Sequence, residues 1–332
     1  VTTGVELDGA YLKVTDKDGN VVDSWTSSKD APHVIKYLKA GETYTLHEEF
    51  APHGYLVAND VTFTVKDTAD VQKVEMKDEV PVGQLIINKK GEFLDSVTLI
   101  DKVKGVVEHI FNYITGNLSD VTFEVYAEED IKAADGVSED YYKVDELIAT
   151  IKTDETGIAK LENLPLGKYY VKEIFAPDGF VTTEEVQEFT FEYAGEDQAE
   201  VSYDFTFENQ PTTVELSKTD LTTGKELPGA HLKVTDSDGN TVDEWTSTEE
   251  SHVIKELVVG KKYTMTETKP ADGYVTAESI TFTVENTAEV QKHEMKDDVT
   301  KVEISKTDIT GETEIPGAKL TILDKDDQVV ES

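Results

Sequence analysis

Three glutamates, Glu48, Glu173 and Glu267, hold the same place in a stretch that recurs from Tyr44 to Tyr55, from Tyr169 to Phe180 and from Tyr263 to Tyr274. Each follows an alternating segment and stands seven residues before an aromatic, with a Pro and a Gly between them. That order is the order of a strand running into a turn. A carboxylate on an apolar strand face must neutralise or find a partner, because an unpaired buried charge is costly. Candidate partners sit at both ends of the repeated units. Lys89 follows Leu85 and Ile87, and Lys218 follows Val214 and Leu216, in register with the apolar positions. Asn209 follows Phe207, Asp297 follows Met295 and Asp78 follows Met76 with the same two-residue step. Strand periodicity therefore points lysine, glutamate and Asn or Asp into one core. Burial lowers a lysine's pKa and raises a glutamate's, so the two can meet as neutral amine and neutral acid, and a neutral amine is a nucleophile. The same residues also suit a buried lysine–glutamate ion pair beside an amide, an arrangement that is weak evidence for stability.

The elements that must position these groups are repeated. Residues Ala10 to Asp78 match Ala230 to Asp297 nearly throughout: LKVTDKDGN answers LKVTDSDGN, Trp25 answers Trp245, and VQKVEMKDE answers VQKHEMKDD. Val302-Glu303-Ile304-Ser305-Lys306-Thr307-Asp308 repeats Val214 to Asp220, so a further copy opens near the end of the sequence. Short alternating runs between turn residues, such as Leu232-Lys233-Val234 before Asp238-Gly239-Asn240, predict all-β sandwiches. The expected domains are residues 1–80, 81–210, 211–298 and 299–332, the last holding only first strands. In the middle copy Val97, Ile100, Val103, Val107, Ile110, Phe111 and Ile114 fall at three- and four-residue spacing, with Asp95 and Ser96 as caps and Gly116 as a stop. This predicts an inserted amphipathic helix over about 95–116, covering apolar surface of the sheet.

The chain of 332 residues carries 69 acidic residues against 31 basic ones, all lysines, for a formal charge of -38. Such a surface repels polyanions and anionic membranes, and the lack of arginine removes the residue best suited to phosphate recognition, so neither nucleic acid nor membrane insertion is expected. There is no cysteine, so small secreted β domains of this kind need good cores or another covalent staple. No signal peptide, transmembrane run or sorting signal is read in this window. The seven histidines form no pair at ligand spacing, and neither a metal nor a cofactor is expected. Asp16 to Asn20 and Asp236 to Asn240 begin like calcium loops but lack the closing glutamate, and read as hairpin turns. Asn117-Leu118-Ser119 is a glycosylation sequon.

At the lysine strand, the glutamate stretch and the closing Asn or Asp, the chain resembles the Cna-B and SpaA-type pilin domains of Gram-positive surface proteins. The glutamate stretch looks like that family's E-box, and SKTD like its lysine-bearing strand. Two departures stand out: the middle E-box ends in Phe180 instead of Tyr, and the first copy, with Glu48 and Asp78, shows no lysine strand. The resemblance implies tandem Ig-like sandwiches closed by spontaneous isopeptide bonds, Lys89 to Asn209 and Lys218 to Asp297, with Glu173 and Glu267 moving the proton. It implies no enzyme beyond that single turnover. It further implies an extracellular stalk or pilin-like segment on a cell wall, whose partners are neighbouring domains or copies of the same fibre. An adhesin that binds a host protein or glycan through the middle domain is the alternative. The Lys306 strand is expected to dock in the first copy of a neighbouring molecule, beside Asp78, by strand addition.

Overall fold

A computed structural model describes residues 6–102 and 106–331. Among the described residues every regular element is a strand. The chain divides into two compact units, Val1–Glu215 with Val253–Lys262 and Phe282–Lys292, and Leu216–His252 with Tyr263–Thr281 and His293–Ser332.

In the first unit, β1 (Tyr11–Thr15), β2 (Val21–Thr26), β3 (Thr43–Phe50) and β4 (Val61–Thr64) form one sheet in the order β2-β1-β3-β4. Val14, Tyr44 and Leu46 are its buried centre, with Leu12, Trp25 and Met76 packed against them. The middle copy is a two-sheet sandwich. Its first strands are β5 (Val82–Lys102), β6 (Val106–Asn117), β7 (Thr122–Ala127), β8 (Leu147–Lys152) and β9 (Ile158–Leu164). They are completed by β10 (Gly167–Phe175), β11 (Val186–Phe191) and β12 (Glu200–Asn209). One sheet runs β12-β5-β6 with β9 also on β5; the other runs β11-β10-β7-β8. Leu85, Ile87, Phe123, Val125, Tyr169 and Phe207 fill the space between the sheets. β5 and β12 are parallel neighbours, with Phe207 opposite Lys89 and Asn209 opposite Gly91.

The third copy uses β13 (Thr213–Asp220), β14 (His231–Thr235), β15 (Thr241–Thr246), β16 (His252–Lys255), β17 (Lys262–Lys269), β18 (Ile280–Thr283) and β19 (Gln291–Asp297). In the second unit β14 pairs with β15 on one side and β17 on the other. β13 lies alongside β19, where the Leu221 amide donates to the Asp297 carbonyl at 2.9 Å. Beyond it, β20 (Ile322–Leu323) and β21 (Val329–Glu331) make a two-stranded hairpin.

Two expectations are corrected here. The stretch read as a helix is a long hairpin in which β5 and β6 pair antiparallel, with Val97 opposite Phe111 and Thr98 opposite Ile110. Its Val, Ile, Thr, Phe and Tyr content favours strand, and pairing with a neighbouring segment decides between the two periods. Val103 lies outside the described residues. With the helix goes the apolar helical face on which the adhesin alternative drew. The expected closing strand of the first copy is also missing: residues 71–81 lie in no strand, although their sequence nearly repeats that of β19. The calcium-like loops are turns: Asp16 Oδ1 accepts the amides of Asp18 and Asn20, and Asp236 Oδ1 those of Asp238 and Asn240. No helix among the described residues is long and apolar enough to cross a membrane.

Candidate functional site

Strand alternation delivers the lysines to the interior. Along β5 the residues alternate buried and half-buried from Gly83 to Lys89, and along β13 Val214, Leu216 and Lys218 are the buried set. Lys89 and Lys218 are 0% and 1% exposed, a rare place for an ammonium group. The glutamates come from the opposite sheet, near the ends of β10 and β17. Each of these strands is stopped by the same turn: the amides of Tyr55, Phe180 and Tyr274 donate to the carbonyls of Pro52, Pro177 and Ala271, each at 3.1 Å. The residue before the aromatic is Gly54, Gly179 or Gly273, with φ of 96°, 88° and 88°, the left-handed position of a type II turn that favours glycine.

In the middle copy three side chains close on one another. Lys89 Nζ donates to Asn209 Oδ1 at 2.5 Å and lies 2.8 Å from Glu173 Oε2. Asn209 Nδ2 donates to Glu173 Oε1 at 2.7 Å. Glu173 thus touches the amine with one oxygen and the carboxamide nitrogen with the other. The rings of Phe123 and Phe207 stand 5.8 and 5.2 Å from Lys89 Nζ and keep water from it. Burial pushes the Lys89 amine below its usual range, against the pull of Glu173.

The third copy repeats the cluster with an acid. Lys218 Nζ contacts Asp297 Oδ1 and lies 3.0 Å from Glu267 Oε1. Glu267 Oε2 accepts the amide of Ala277 at 2.7 Å. Burial raises the Asp297 carboxyl, partly offset by Lys218 and reinforced by Glu267. Two carboxyls facing each other this closely hold a proton more readily than either alone.

In the first copy Glu48 and Asp78 are brought together without a lysine. Both are buried, at 1% and 7% exposure, and among the described residues neither has an ion-pair partner. Glu48 Oε2 accepts the Ala58 amide at 2.6 Å, as Glu267 does from Ala277. Burial pushes Glu48 up to about 7, with Asp78 and Glu196 adding to it, and burial raises Asp78 as well. Lys306 is elsewhere: residues 301–306 lie in no strand and its side chain is exposed.

The amides of Ala58 and Ala277 are site groups that sequence reasoning missed. Their signal is an alanine ten residues after the glutamate, present in both Asp-type copies and replaced by Thr183 in the Asn-type copy. The Phe180 departure also has a structural reason. Tyr274 donates its hydroxyl to Asp220 at 2.8 Å, whereas the residue two beyond Lys89 is Gly91, where an added Cβ would lie 2.7 Å from the Phe180 ring. With no carboxylate to receive a hydroxyl, and no side chain in the way, the ring packs directly on the strand.

Comparison with known proteins follows this geometry. The Bacillus anthracis TIE protein is similar in structure, at 26% identity and a TM-score of 0.52, over 88% of this chain and 48% of that one. The chain thus spans about half the length of that relative. Shaft pilin SpaA from Lactobacillus rhamnosus GG aligns at 16% identity and a TM-score of 0.27, over 67% of this chain and 99% of that chain. A streptococcal ancillary pilin aligns at 18% and 0.29, over 82% and 76%. No curated protein matches the chain. The SpaA family model, described as a prealbumin-like fold domain, matches residues 1–80, 113–206 and 212–299. With most of its length so matched, and a lysine, a glutamate and an Asn or Asp gathered in two of its repeats, the chain belongs to the SpaA prealbumin-like domain family.

Proposed function

We propose that this chain is a load-bearing stalk segment of a Gram-positive cell-surface or pilus fibre, stiffened by intramolecular isopeptide bonds. Its domains are residues 1–80, 81–210, 211–298 and the opening strands of another over 299–332. The observation that carries the reading is Glu173 bridging Lys89 Nζ and Asn209 Nδ2. A carboxyl so placed takes the proton from the attacking amine on one oxygen and supplies one to the leaving nitrogen from the other. Lys89 Nζ attacks the Asn209 side-chain carbonyl carbon, the C–N bond to the amide nitrogen breaks, and ammonia leaves. In the third copy Lys218 attacks protonated Asp297, Glu267 carries the proton, and water leaves. Depressed basicity of the lysine and a protonated acid are the states this needs, and burial favours both. No other catalysis is proposed, because the glutamate is used once and its products stay attached.

Intact-protein mass spectrometry with peptide mapping tests the proposal. The expected result is a mass short by one ammonia and one water, with branched peptides joining Lys89 to Asn209 and Lys218 to Asp297. A mass equal to that of the unmodified sequence refutes it.

A further inference from the structure

The first copy carries a groove that matches a strand found elsewhere in the sequence. Its volume is about 770 Å³, and it is lined by Leu12, Trp25, Leu46 and Met76 with Glu48 and Asp78 at its polar end. In the third copy β13 supplies the corresponding lysine, placing Val214 and Leu216 in the interior beside β19. In the first copy the matching flanks, His33 to Lys36 and Val71 to Asp78, lie in no strand, although their sequences answer β16 and β19. What the first copy lacks among the described residues is the strand that would order them. Residues 302–308 repeat the β13 sequence with one change, Ile304 for Leu216. They stand unpaired, with Val302 83% and Ile304 54% exposed.

We propose that residues 302–308 of a second copy of this chain dock as a strand in the first-repeat groove, and that Lys306 bonds there to Asp78. Each contact of β13 has a waiting counterpart. Lys218 meets Glu267 and Asp297; Lys306 meets Glu48 and Asp78. Thr219 donates to Glu294 at 2.7 Å; Thr307 meets Glu75, which lines the groove. Tyr274 donates to Asp220; Tyr55 keeps the hydroxyl needed for Asp308, where the middle copy has Phe180 opposite a glycine. Val302 and Ile304 bury apolar surface that is now in water, and one amine enters a site holding two carboxyls and no cation, so shape, polarity and charge agree. The bond forms as Lys306 Nζ attacks the carbonyl carbon of protonated Asp78, Glu48 takes the amine proton and returns one to the departing hydroxyl, and water leaves. Head-to-tail docking of this kind does not close on itself, and extends into chains.

The inference rests on the isopeptide chemistry proposed above, and one experiment separates the two. The full chain is incubated at high concentration, then analysed by denaturing gel, intact mass and peptide mapping. Covalent dimers and higher species are expected, each junction short by one further water and yielding a Lys306–Asp78 branched peptide. They are expected to vanish in Lys306→Ala, whose exposed position leaves the fold intact, and in Asp78→Ala. A chain that stays monomeric overturns the inference, as does a Lys306–Asp78 peptide found only within monomers. The internal Lys89–Asn209 and Lys218–Asp297 losses are read from the same spectra, so their presence without dimers refutes only the docking, and their absence refutes the underlying reading.

Discussion

Replacing Glu173 by Gln keeps the shape of the site and removes the group that takes a proton. Lys89 and Asn209 are separated by 120 residues, and by the chain-entropy relation a crosslink closing that loop is worth about 4.9 kcal/mol. For a domain of this size that corresponds to a fall in melting midpoint of about 20 °C. The measurement is differential scanning calorimetry of the purified chain, paired with intact mass to show that the ammonia loss is gone. The loss of stability has a second possible origin in the broken Lys89–Glu173 pair, and Lys89→Met/Glu173→Gln separates the two. An ion pair alone is replaced by apolar and neutral groups at little cost or with a gain. If the crosslink carries the stability, the double variant melts as low as Glu173→Gln. Retention of the ammonia loss in Glu173→Gln at the wild-type rate refutes the proton-transfer role. A double variant that melts at or above the wild type refutes the crosslink as the source of stability.

Acidity should stabilise the first copy: Glu48 is raised from 4.5 to about 7, so the folded state binds the extra proton and its contribution, about 3 kcal/mol, is present below pH 4.5 and lost as pH rises through about 7. Because other carboxylates titrate too, the check is the difference between wild type and Glu48→Gln across pH 4 to 8; equal pH slopes would rule it out. Gly91→Ala should destabilise the middle copy by about 1–3 kcal/mol, since the new Cβ lies 2.7 Å from Phe180, read as a lower urea midpoint. Tyr274→Phe should cost about 1–2 kcal/mol by leaving Asp220 without its donor, while mass spectrometry still finds the Lys218–Asp297 bond; loss of the bond would give that hydroxyl a catalytic task.

Much of the site is legible because it obeys local periods. Lys89 and Lys218 are found by counting in twos from Leu85 and Val214, and the glutamates by the turn that follows them. The long hairpin is not legible in the same way. Val97, Ile100, Val107 and Ile114 satisfy a helical spacing, and only the pairing of β5 with β6 across a distant register selects strand. The first and third copies make the point more sharply. Val71 to Asp78 and Val290 to Asp297 differ at one residue, His293 in place of Val74, yet only the latter contains a strand. A strand is a property of two neighbours, and β13 is the neighbour that only one copy has. The Ala58 and Ala277 amides were missed for a related reason, since a backbone donor has no letter of its own.

The position of the proposed bond also explains where the middle copy tolerates its added material. β5 and β12 are parallel neighbours, so tension that enters at the start of β5 and leaves at the end of β12 draws the two strands in opposite directions. Hydrogen bonds alone would then share the load along the ladder and yield by sliding. A covalent link from Lys89 to Asn209 passes the tension between the strands instead, and everything from Lys90 to Glu208 lies off that path. The hairpin built from the far half of β5 and from β6 begins after Lys89 and ends at Asn117, wholly inside the bypassed loop. Its length is therefore free to vary without lengthening the route that bears force, whereas an insertion before Lys89 or after Asn209 would add slack to it. In the third copy the route is shorter still: Lys218 meets Asp297 where the Leu221 amide already holds the Asp297 carbonyl, so the link falls at the last residues of both terminal strands.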